Sequence, residues 1–359
     1  MEPSSPAVFT ASLRIGYVPL TDAAALVVAD ALGFFADQGL RVSLMPAASW
    51  AGLRDRVAFG ALDAAHMLYP MPIAAALGLV GPATPLTVTA GLGRNGNTIV
   101  ISIALAEALG DVPVPLAASR FAELARGRHL RMAVVHPVSS HNYLLRHWLE
   151  SGGLHPDSDV AMSVLPPPAM PAALAAGAID GFCVGEPWGS AAVLAGAGRA
   201  MVASGDIWPD HPEKVFAFRA SAVTADPAAA VAATAAIISA ARWLDDPANH
   251  PQAVALMAQH AFPDLDPAAI APGFDGWVPE PDGSARRLAH PLSFREALPP
   301  HLAHAAFWLG CMRRGGHVPA QIDQARALAP WRNDIFTRAA LALGEPLHAP
   351  TPLPTESAA

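Results

Sequence analysis

The sequence has few of the residues on which several large classes of protein depend. Its 359 residues include only two cysteines, Cys183 and Cys311, and a single lysine, Lys214. The cysteines lie far apart and share no metal-ligand spacing with a histidine, so neither a disulfide framework nor a zinc site is expected. The most apolar stretch, 227–242, is shorter than the ~20 strongly apolar residues that cross a bilayer and is rich in alanine. We therefore expect no membrane span.

Charged residues are also scarce, at 14% of the chain, whereas hydrophobic residues make up 53%. This balance excludes a disordered chain. The formal net charge of −8 gives no reason to expect direct binding to nucleic acid. Residues 1–17 lack a basic region followed by an apolar run, so we expect no secretory signal and a cytoplasmic location.

The length of the chain exceeds the ~250–300 residues that one hydrophobic core usually supports, so two lobes are expected. Short apolar segments alternate with segments of helical periodicity, which predicts parallel α/β sheets. Strands are predicted at 13–19, 41–45, 64–68, 86–90, 99–103, 130–135, 181–184 and 215–223, and the longer helices at 23–38, 50–59, 141–150, 227–244 and 251–261. We expect an α/β fold in which 1–98 and 220–359, with C-terminal helices, form one lobe and 99–219 the other.

A weak internal repeat supports two lobes of similar design. Residues 60–63 read Gly-Ala-Leu-Asp and lead to Pro70, and residues 177–180 read Gly-Ala-Ile-Asp and lead to Pro187. The spacing to the proline is ten residues in both. Such a turn is ordinary in α/β proteins, but its repetition favours two lobes with a cleft between them.

Signatures of catalysis are missing from the sequence. It contains no G-x-S-x-G elbow, no Walker loop and no H-E-x-x-H helix. His141 and His147 are six residues apart on one predicted helix, so they face different directions and do not hold one metal ion together. We expect a binding protein without catalytic residues, metal or cofactor.

Four polar or aromatic side chains lie at corners between predicted strands and helices: Trp50, Asn97, His141 and Lys214. The carboxyl ends of parallel strands and the helix N-termini beside them favour anions. Each residue also has an ordinary structural explanation. The tryptophan would pack, the asparagine would form a turn and the histidine would cap a helix. The lysine would form an exposed ion pair with Glu213 that contributes little stability.

Several motifs together resemble the nitrate/bicarbonate-binding proteins of ABC uptake systems. The resemblance runs from about residue 13 to about residue 331, and its most specific parts are FCVGEPW at 182–188 and WPDHPEKV at 208–215. The other matching segments are 13–19, 49–51, 60–72, 95–97, 140–141 and 148–153. The nearest relatives without a secretory signal are the cytoplasmic NasS-type nitrate sensors. This resemblance implies a two-lobed, type II periplasmic-binding-protein fold with a ligand cleft between the lobes.

The resemblance also implies an anion site. Trp50 is similar to a tryptophan that contacts the anion, and His141 to a histidine that donates a hydrogen bond to it. Gly185 matches a backbone position at the site, and Lys214 matches the lysine that faces the anion. Asn97 stands where the nitrate binders usually have glutamine, so its reach is one methylene shorter and its direct contact is in question.

Nitrate or nitrite is the anion favoured by this set of residues. The ammonium of Lys214 is expected to offset the cost of removing the anion from water, together with neutral donors. The bicarbonate-binding relatives carry an acid at the lysine position and use a metal ion, which Lys214 would repel. The residues do not choose between nitrate and nitrite.

These expectations lead to a cytoplasmic nitrate or nitrite sensor. In the family, such a sensor holds an RNA-binding antiterminator of the NasT type and releases it when the anion binds. One alternative is the substrate-binding component of an ABC transporter for nitrate, bicarbonate or a sulfonate. Another is an enzyme similar to the pyrimidine-precursor synthases, which share the fold. That enzyme would use Lys214 to form a Schiff base, but no Gly-rich phosphate loop accompanies it.

Overall fold

The structure is a computed structural model that describes residues 9–294, 298–319 and 321–345. Residues 1–8, part of the segment on which the signal-peptide expectation rests, lie outside the described residues. The same holds for 346–359, the end of the first-lobe assignment.

Twelve strands are present within the described residues. In chain order they are β1 Ala11–Tyr17, β2 Leu40–Pro46, β3 Ala64–Leu68, β4 Leu86–Arg94, β5 Asn97–Ser102, β6 Leu130–Val134, β7 Val160–Val164, β8 Gly181–Gly185, β9 Gly198–Ala203, β10 Pro212–Arg219, β11 Trp277–Pro279 and β12 Ala285–Arg287. They form two five-stranded sheets and one small hairpin, β11–β12.

The helices surround these sheets. They are α1 Ala24–Ala31, α2 Phe34–Asp37, α3 Trp50–Ala58, α4 Met71–Leu77, α5 Ile103–Leu109, α6 Ala117–Ala125, α7 Ser140–Ser151, α8 Met170–Ala175, α9 Trp188–Leu194, α10 Ser204–Ile207, α11 Ala220–Ala225, α12 Pro227–Leu244, α13 His250–His260, α14 Pro267–Asp275, α15 Leu302–Arg314, α16 Gln324–Leu328 and α17 Asn333–Ala342.

Each sheet is the centre of one lobe. The first sheet has the order β2-β1-β3-β10-β4 and the second β7-β6-β8-β5-β9. Within the first sheet β1 runs parallel to β2 and β3, whereas β10 is antiparallel to β3 and β4. In the second sheet β6 runs parallel to β7 and β8, and β5 is antiparallel to β8 and β9. The chain passes between the sheets twice, from β4 to β5 and from β9 to β10.

The second crossing corrects two details of the sequence-based description. The predicted second lobe includes residues 212–219, but these residues form β10, which pairs with β3 and β4 inside the first sheet. The return strand was expected to continue to residue 223, but it ends at Arg219, opposite Leu86. Beyond this point the chain has no strand to pair with, and the alanine-rich segment Ala220–Ala225 forms a helix.

The repeat noticed in the sequence has the same structure in both lobes. In the first lobe the Asp63 carboxylate accepts hydrogen bonds from the backbone N–H of Arg14 at 2.9 Å and from its guanidinium at 2.8 Å. In the second, Asp180 accepts from the backbone and guanidinium of Arg131 at 2.7 and 2.8 Å. Each aspartate thus binds the turn before one buried strand, β3 or β8, to the neighbouring parallel strand, β1 or β6.

One described helix, Pro227–Leu244, is long and apolar enough to cross a membrane. Its most apolar window is 61% buried inside the protein. The helix packs against α1 and α17, and its alanines allow this close approach. Its apolar character is therefore explained by its place in the core of the first lobe.

The segment after the hairpin joins the two lobes on one side. The Trp308 indole of α15 donates to the carbonyl of Pro212 at 2.9 Å, and its ring lies 6.2 Å from that of Tyr143 in the second lobe. The Trp331 indole donates to the hydroxyl of Tyr69 in the first lobe at 3.3 Å. The C-terminal segment therefore contacts both lobes and the strand that connects them.

A glycine at the end of α7 allows this helix to approach α6 closely. A Cβ at Gly152 would lie 2.3 Å from the carbonyl oxygen of Ala118. We predict that Gly152→Ala lowers the free energy of unfolding by about 1–3 kcal/mol, because the helices must move apart. Chemical denaturation measures this change.

Gly310→Ala in α15 is the matched control, because the nearest atom there is 3.8 Å away on the Arg314 guanidinium. Alanine favours the helix at such a position, so no loss is expected. Equal stability of the two variants would contradict the close packing of α6 on α7.

Candidate ligand-binding site

Two helices begin at the cleft, and in each a serine caps the first turn. The Ser49 hydroxyl accepts from the backbone N–H of Gly52 at 3.2 Å, which fixes the start of α3 at Trp50. The Ser139 hydroxyl accepts from the backbone N–H of Asn142 at 3.0 Å and fixes the start of α7. The caps hold Trp50 and His141 in the first turns of their helices, and both side chains are buried.

Lys214 lies inside β10 and is fully buried. Its Nζ is 2.8 Å from Oδ2 of Asp22 and 2.5 Å from Oε1 of Glu213. Both carboxylates are buried as well. The interpretation of Lys214 and Glu213 as an exposed surface pair is therefore wrong. These three residues are called the charged triad below.

Two aromatic side chains of the first lobe adjoin the charged triad. Nε2 of His66, on β3, is 2.9 Å from Oδ1 of Asp22. The ring of Trp50 lies 5.1 Å from that of His66, and Nζ of Lys214 lies 5.6 Å from the Trp50 ring centroid. The indole and the ammonium predicted for the site are therefore neighbours.

The second lobe supplies the opposite side of the site. Nε2 of His141 is 3.5 Å from Oε1 of Glu213, which links α7 to the triad. Asn97 and Gly185 face each other in the pairing of β5 with β8. A Cβ at Gly185 would lie 3.3 Å from Oδ1 of Asn97 and 3.6 Å from Nε2 of His141. The structure therefore brings all five predicted site residues into one buried group: Trp50, Asn97, His141, Gly185 and Lys214.

Several polar atoms in this group have no hydrogen-bond partner among the described residues. They are Oδ1 of Asp22, Nε1 of Trp50, both ring nitrogens of His66 and of His141, Nδ2 and Oδ1 of Asn97, and Oε2 of Glu213. Buried polar atoms in proteins are nearly always hydrogen-bonded, and leaving one unpaired costs about 1–3 kcal/mol. Their convergence from both lobes identifies a place suited to a small polar ligand.

The electrostatics differ from the sequence-based expectation. That expectation assigned the ammonium of Lys214 to the ligand, but the ammonium already faces two carboxylates. Burial alone would lower the pKa of Lys214, yet Asp22 and Glu213 raise it above its ordinary value. Burial raises the pKa of Glu213, against the opposing effect of Lys214. Burial tends to raise the pKa of Asp22 too, but Lys214 and His66 together hold it well below its usual range.

The imidazoles beside the triad are kept neutral. Burial lowers the pKa of His141 well below its ordinary value, and the nearby ammonium lowers it further. Burial also lowers the pKa of His66, although Asp22 opposes this effect. Neutral imidazoles offer hydrogen bonds without adding charge.

Three residues of the site were not identified from the sequence: Asp22, His66 and Glu213. Asp22 had been noted only as part of a helix start, and it does open a short helical turn at Thr21–Ala23. His66 follows the Gly-Ala-Leu-Asp repeat within β3. Asp22 follows β1, but His66 lies in the middle of β3, so position along the sequence does not mark the two as neighbours. Their pairing depends on the fold.

The lobes contact each other beside the site through the segment that contains FCVGEPW. The backbone N–H of Thr21 donates to the carbonyl of Glu186 at 2.7 Å. The Trp188 indole donates to the carbonyl of Pro19 at 3.0 Å. These contacts join the two lobes beside the site, and the site residues are buried.

Within the described ranges, no three histidine, cysteine, aspartate or glutamate side chains are arranged to hold a metal ion. At the triad the position between the two carboxylates is taken by the ammonium of Lys214. The arrangement is chemically suited to hydrogen bonding of a small ligand.

We predict that Lys214→Met lowers the free energy of unfolding by about 3–5 kcal/mol at pH 8, because two buried carboxylates lose their counter-charge. Lys214 holds the pKa of Asp22 below its unfolded value, so its contribution is present above that value and is lost on acidification. Without the ammonium, burial raises the pKa of both carboxyls in the folded variant, so protons can neutralise them at pH 5 and the deficit is smaller there than at pH 8. Chemical denaturation of both proteins at pH 8 and pH 5 measures this deficit in the free energy of unfolding.

Arg120→Met is the comparison variant, because Arg120 forms an exposed ion pair with Glu123 at 2.8 Å. Little change is expected there at either pH. A deficit of Lys214→Met that is small, or that grows on acidification, would contradict the triad.

Comparisons with known proteins identify the family and the fold of the chain. The NMT1-like family profile matches residues 7–258. The nitrate/nitrite binding protein NrtA of Nostoc sp. PCC 7120 is 31% identical over 360 residues, which is 95% of this chain and 79% of that protein. The bicarbonate transport ATP-binding protein CmpC of Synechocystis sp. PCC 6803 is 34% identical over 346 residues. That match covers 93% of this chain but only 50% of CmpC.

A solved structure supports the fold directly. The crystal structure of the periplasmic nitrate-binding protein NrtA from Synechocystis PCC 6803 matches with a TM-score of 0.88 and 30% identity. The match covers 93% of this chain and 89% of that one. The predicted α/β fold of the periplasmic-binding-protein type is confirmed.

Proposed function

Because the chain belongs to the NMT1-like family and shares its fold with NrtA, we propose that it binds nitrate or nitrite in the cleft between its lobes. We further propose that it does so as the substrate-binding component of an ABC-type uptake system. The resemblance to nitrate-binding proteins is established by these relatives. Its assignment to the cytoplasmic NasS-type sensors stays a prediction.

One observation carries the proposal: unpartnered polar groups lie on both lobes of this site, Trp50 beside Lys214 in the first lobe, and Asn97 and His141 beside Gly185 in the second. Trp50, Asn97 and His141 offer donors without charge, and a planar anion with oxygens at its edge can accept from several of them at once. Since nitrate is a very weak base, it needs donors rather than a proton-transfer partner. Hydrogen bonds to a charged acceptor are roughly twice as strong as neutral ones.

The size of the site favours a small inorganic anion. Trp50, Lys214 and His141 are completely buried, and Asn97 nearly so. The space beside Gly185 is narrow, since even a Cβ there would lie 3.3 Å from Oδ1 of Asn97. A sulfonate with an organic tail would require the lobes to open.

Bicarbonate is the competing inorganic anion, because CmpC is named for its transport. The resemblance implies that the bicarbonate binders use a metal ion, and the ammonium of Lys214, buried between Asp22 and Glu213, would repel such a cation. This supports nitrate or nitrite over bicarbonate. Isothermal titration with nitrate, nitrite, bicarbonate and sulfate tests the order, and preferential binding of bicarbonate or sulfate would overturn it.

An enzyme that uses Lys214 as a nucleophile is less well supported. A Schiff base forms from the free amine. The carboxylates of Asp22 and Glu213 raise the pKa of Lys214 and so keep it protonated. This environment favours binding over covalent catalysis.

A regulatory role for the same site is the second candidate. Two hydrogen bonds join the lobes beside the ligand cleft, one between Thr21 and Glu186 and one between Trp188 and Pro19. If the lobes separate when the ligand leaves, these contacts break and the outer surface of the protein changes. Such a difference is what control of a NasT-type antiterminator from the cytoplasm requires. Co-purification with that partner should be lost in millimolar nitrate. A complex that persists in nitrate would contradict the regulatory role and leave the uptake role as the proposal.

We predict that Trp50→Phe weakens nitrate binding roughly 10- to 150-fold, because the ring is kept but a hydrogen bond to the anion is lost. The dissociation constant from calorimetry measures this loss. Trp277→Phe, on the partly exposed hairpin, should bind as the wild type does. Equal affinities of the two variants would remove Trp50 from the site.

We also predict that Gly185→Ala weakens nitrate binding about tenfold or more, because the new methyl group fills the space between Asn97 and His141. Thermal unfolding without nitrate should change much less than binding does. Gly310→Ala serves as the control for a methyl group added elsewhere. Unchanged affinity of Gly185→Ala would place the anion away from this strand end.

A further inference from the structure

The charged triad carries more negative than positive charge when its three groups are ionised. Asp22 and Glu213 each contribute one negative charge, and Lys214 contributes one positive charge. All three are buried. Since the pKa values of the adjacent imidazoles, His66 and His141, are lowered by burial, these rings add no compensating charge.

An anion that enters this site would make the imbalance worse. Two uncompensated negative charges would then lie in a volume without bulk water, where the cost of burying each unpaired charge is several kcal/mol. The single ammonium of Lys214 cannot form strong ion pairs with three anionic groups at the same time. A proton taken from solvent removes one of these charges at much lower cost.

We propose that Glu213 is a further anion-binding residue, which takes up a proton as nitrate enters and donates it in a hydrogen bond through Oε2. The inference rests on the proposed function and deepens it. The proton comes from water or buffer, becomes bonded to the carboxylate oxygen and returns to solvent when nitrate leaves. No other bond forms or breaks.

The geometry singles out Glu213 among the two carboxylates. Oε1 of Glu213 is occupied by Lys214, whereas Oε2 has no hydrogen-bond partner among the described residues. Each oxygen of Asp22 lies near a nitrogen atom, Oδ2 at 2.8 Å from Nζ of Lys214 and Oδ1 at 2.9 Å from Nε2 of His66, although the second contact lacks hydrogen-bond geometry. Burial tends to raise the pKa of Asp22, but Lys214 and His66 both lower it, which disfavours a proton there. A proton on Glu213 therefore creates a new donor directed away from the ammonium, where a donor is useful.

The groups around Glu213 agree with this assignment. The groups that act on it are Lys214 from its own strand, Asp22 from the turn after β1, Ser140 and His141 from α7, and Cys183 from β8. Of these, only Lys214 favours the ionised carboxylate by charge. Burial and the charge of Asp22 both raise the pKa of Glu213.

The consequence is an affinity that depends on pH. Below the pKa of Glu213 in the free protein the proton is already present, so binding is independent of pH. Above that pKa the affinity for nitrate should fall by up to about tenfold per pH unit, as linkage to one proton requires. Nitrate itself stays unprotonated throughout, so any proton taken up is on the protein.

Calorimetry with nitrate between pH 6 and pH 9, in two buffers of different ionisation enthalpy, tests the proposal. For the wild type we expect uptake approaching one proton at the upper end of the range. Glu213→Gln, whose amide donates like the protonated acid, should bind nitrate with no pH dependence and no proton uptake. Glu186→Gln is the matched control, because Glu186 is also buried, with a pKa raised to about 7 by burial, but lies outside the triad.

Each result has a definite meaning. Tight binding of nitrate at constant affinity and without proton uptake overturns the inference and leaves the proposed function standing. Uptake that disappears in Glu186→Gln, or in His141→Gln but not in Glu213→Gln, places the proton elsewhere and also overturns it. Failure of the wild type to bind nitrate at any pH removes the proposed function and this inference together.

Discussion

A buried ammonium between two buried carboxylates is the interaction around which the cleft is organised. Lys214 has to be inside the protein because β10 runs through the middle of the first sheet. Its charge is tolerable there only with Asp22 and Glu213 in contact with it. This requirement fixes the turn after β1 against the crossing strand. The position of the only lysine in the chain is thereby explained by the fold before any ligand is considered.

The two lobes share one plan but contribute different chemistry. The Arg14–Asp63 and Arg131–Asp180 contacts show the same turn in both. The first lobe nevertheless provides every charged group of the site, whereas the second provides neutral donors and the gap at Gly185. A ligand held between them therefore meets charge on one side and hydrogen bonds on the other. Closure of the lobes completes a site that neither half contains alone.

Much of this arrangement could be predicted from the sequence. The alternation of strands and helices gives the α/β fold, and the serine caps place Trp50 and His141 in the first turns of their helices. Family motifs then single out Gly185 and Lys214. These are local signals, each contained within about ten residues, and the structure places all of them in one buried group.

The remaining features depend on contacts between distant segments. No local pattern marks Asp22, His66 and Glu213 as buried site residues. Their pairing within the first lobe is set by how strands from separate parts of the chain are ordered in the sheet. The alternating residues after Arg219 continue a strand pattern in sequence, yet the sheet ends there and the chain turns into a helix. The predicted helix at 23–38 is instead interrupted by a local feature. Gly33 adopts a left-handed φ of 83°, which separates α1 from α2.

The central claim is that a small oxyanion lies between the indole of Trp50, the amide of Asn97 and the imidazole of His141, beside the charged triad. A crystal structure of the protein grown in nitrate tests it most directly. The account predicts a planar anion within hydrogen-bond distance of these three side chains, with Lys214 still in contact with Asp22 and Glu213. Nitrate bound at another place, or these polar atoms satisfied by one another with no anion between them, would contradict it.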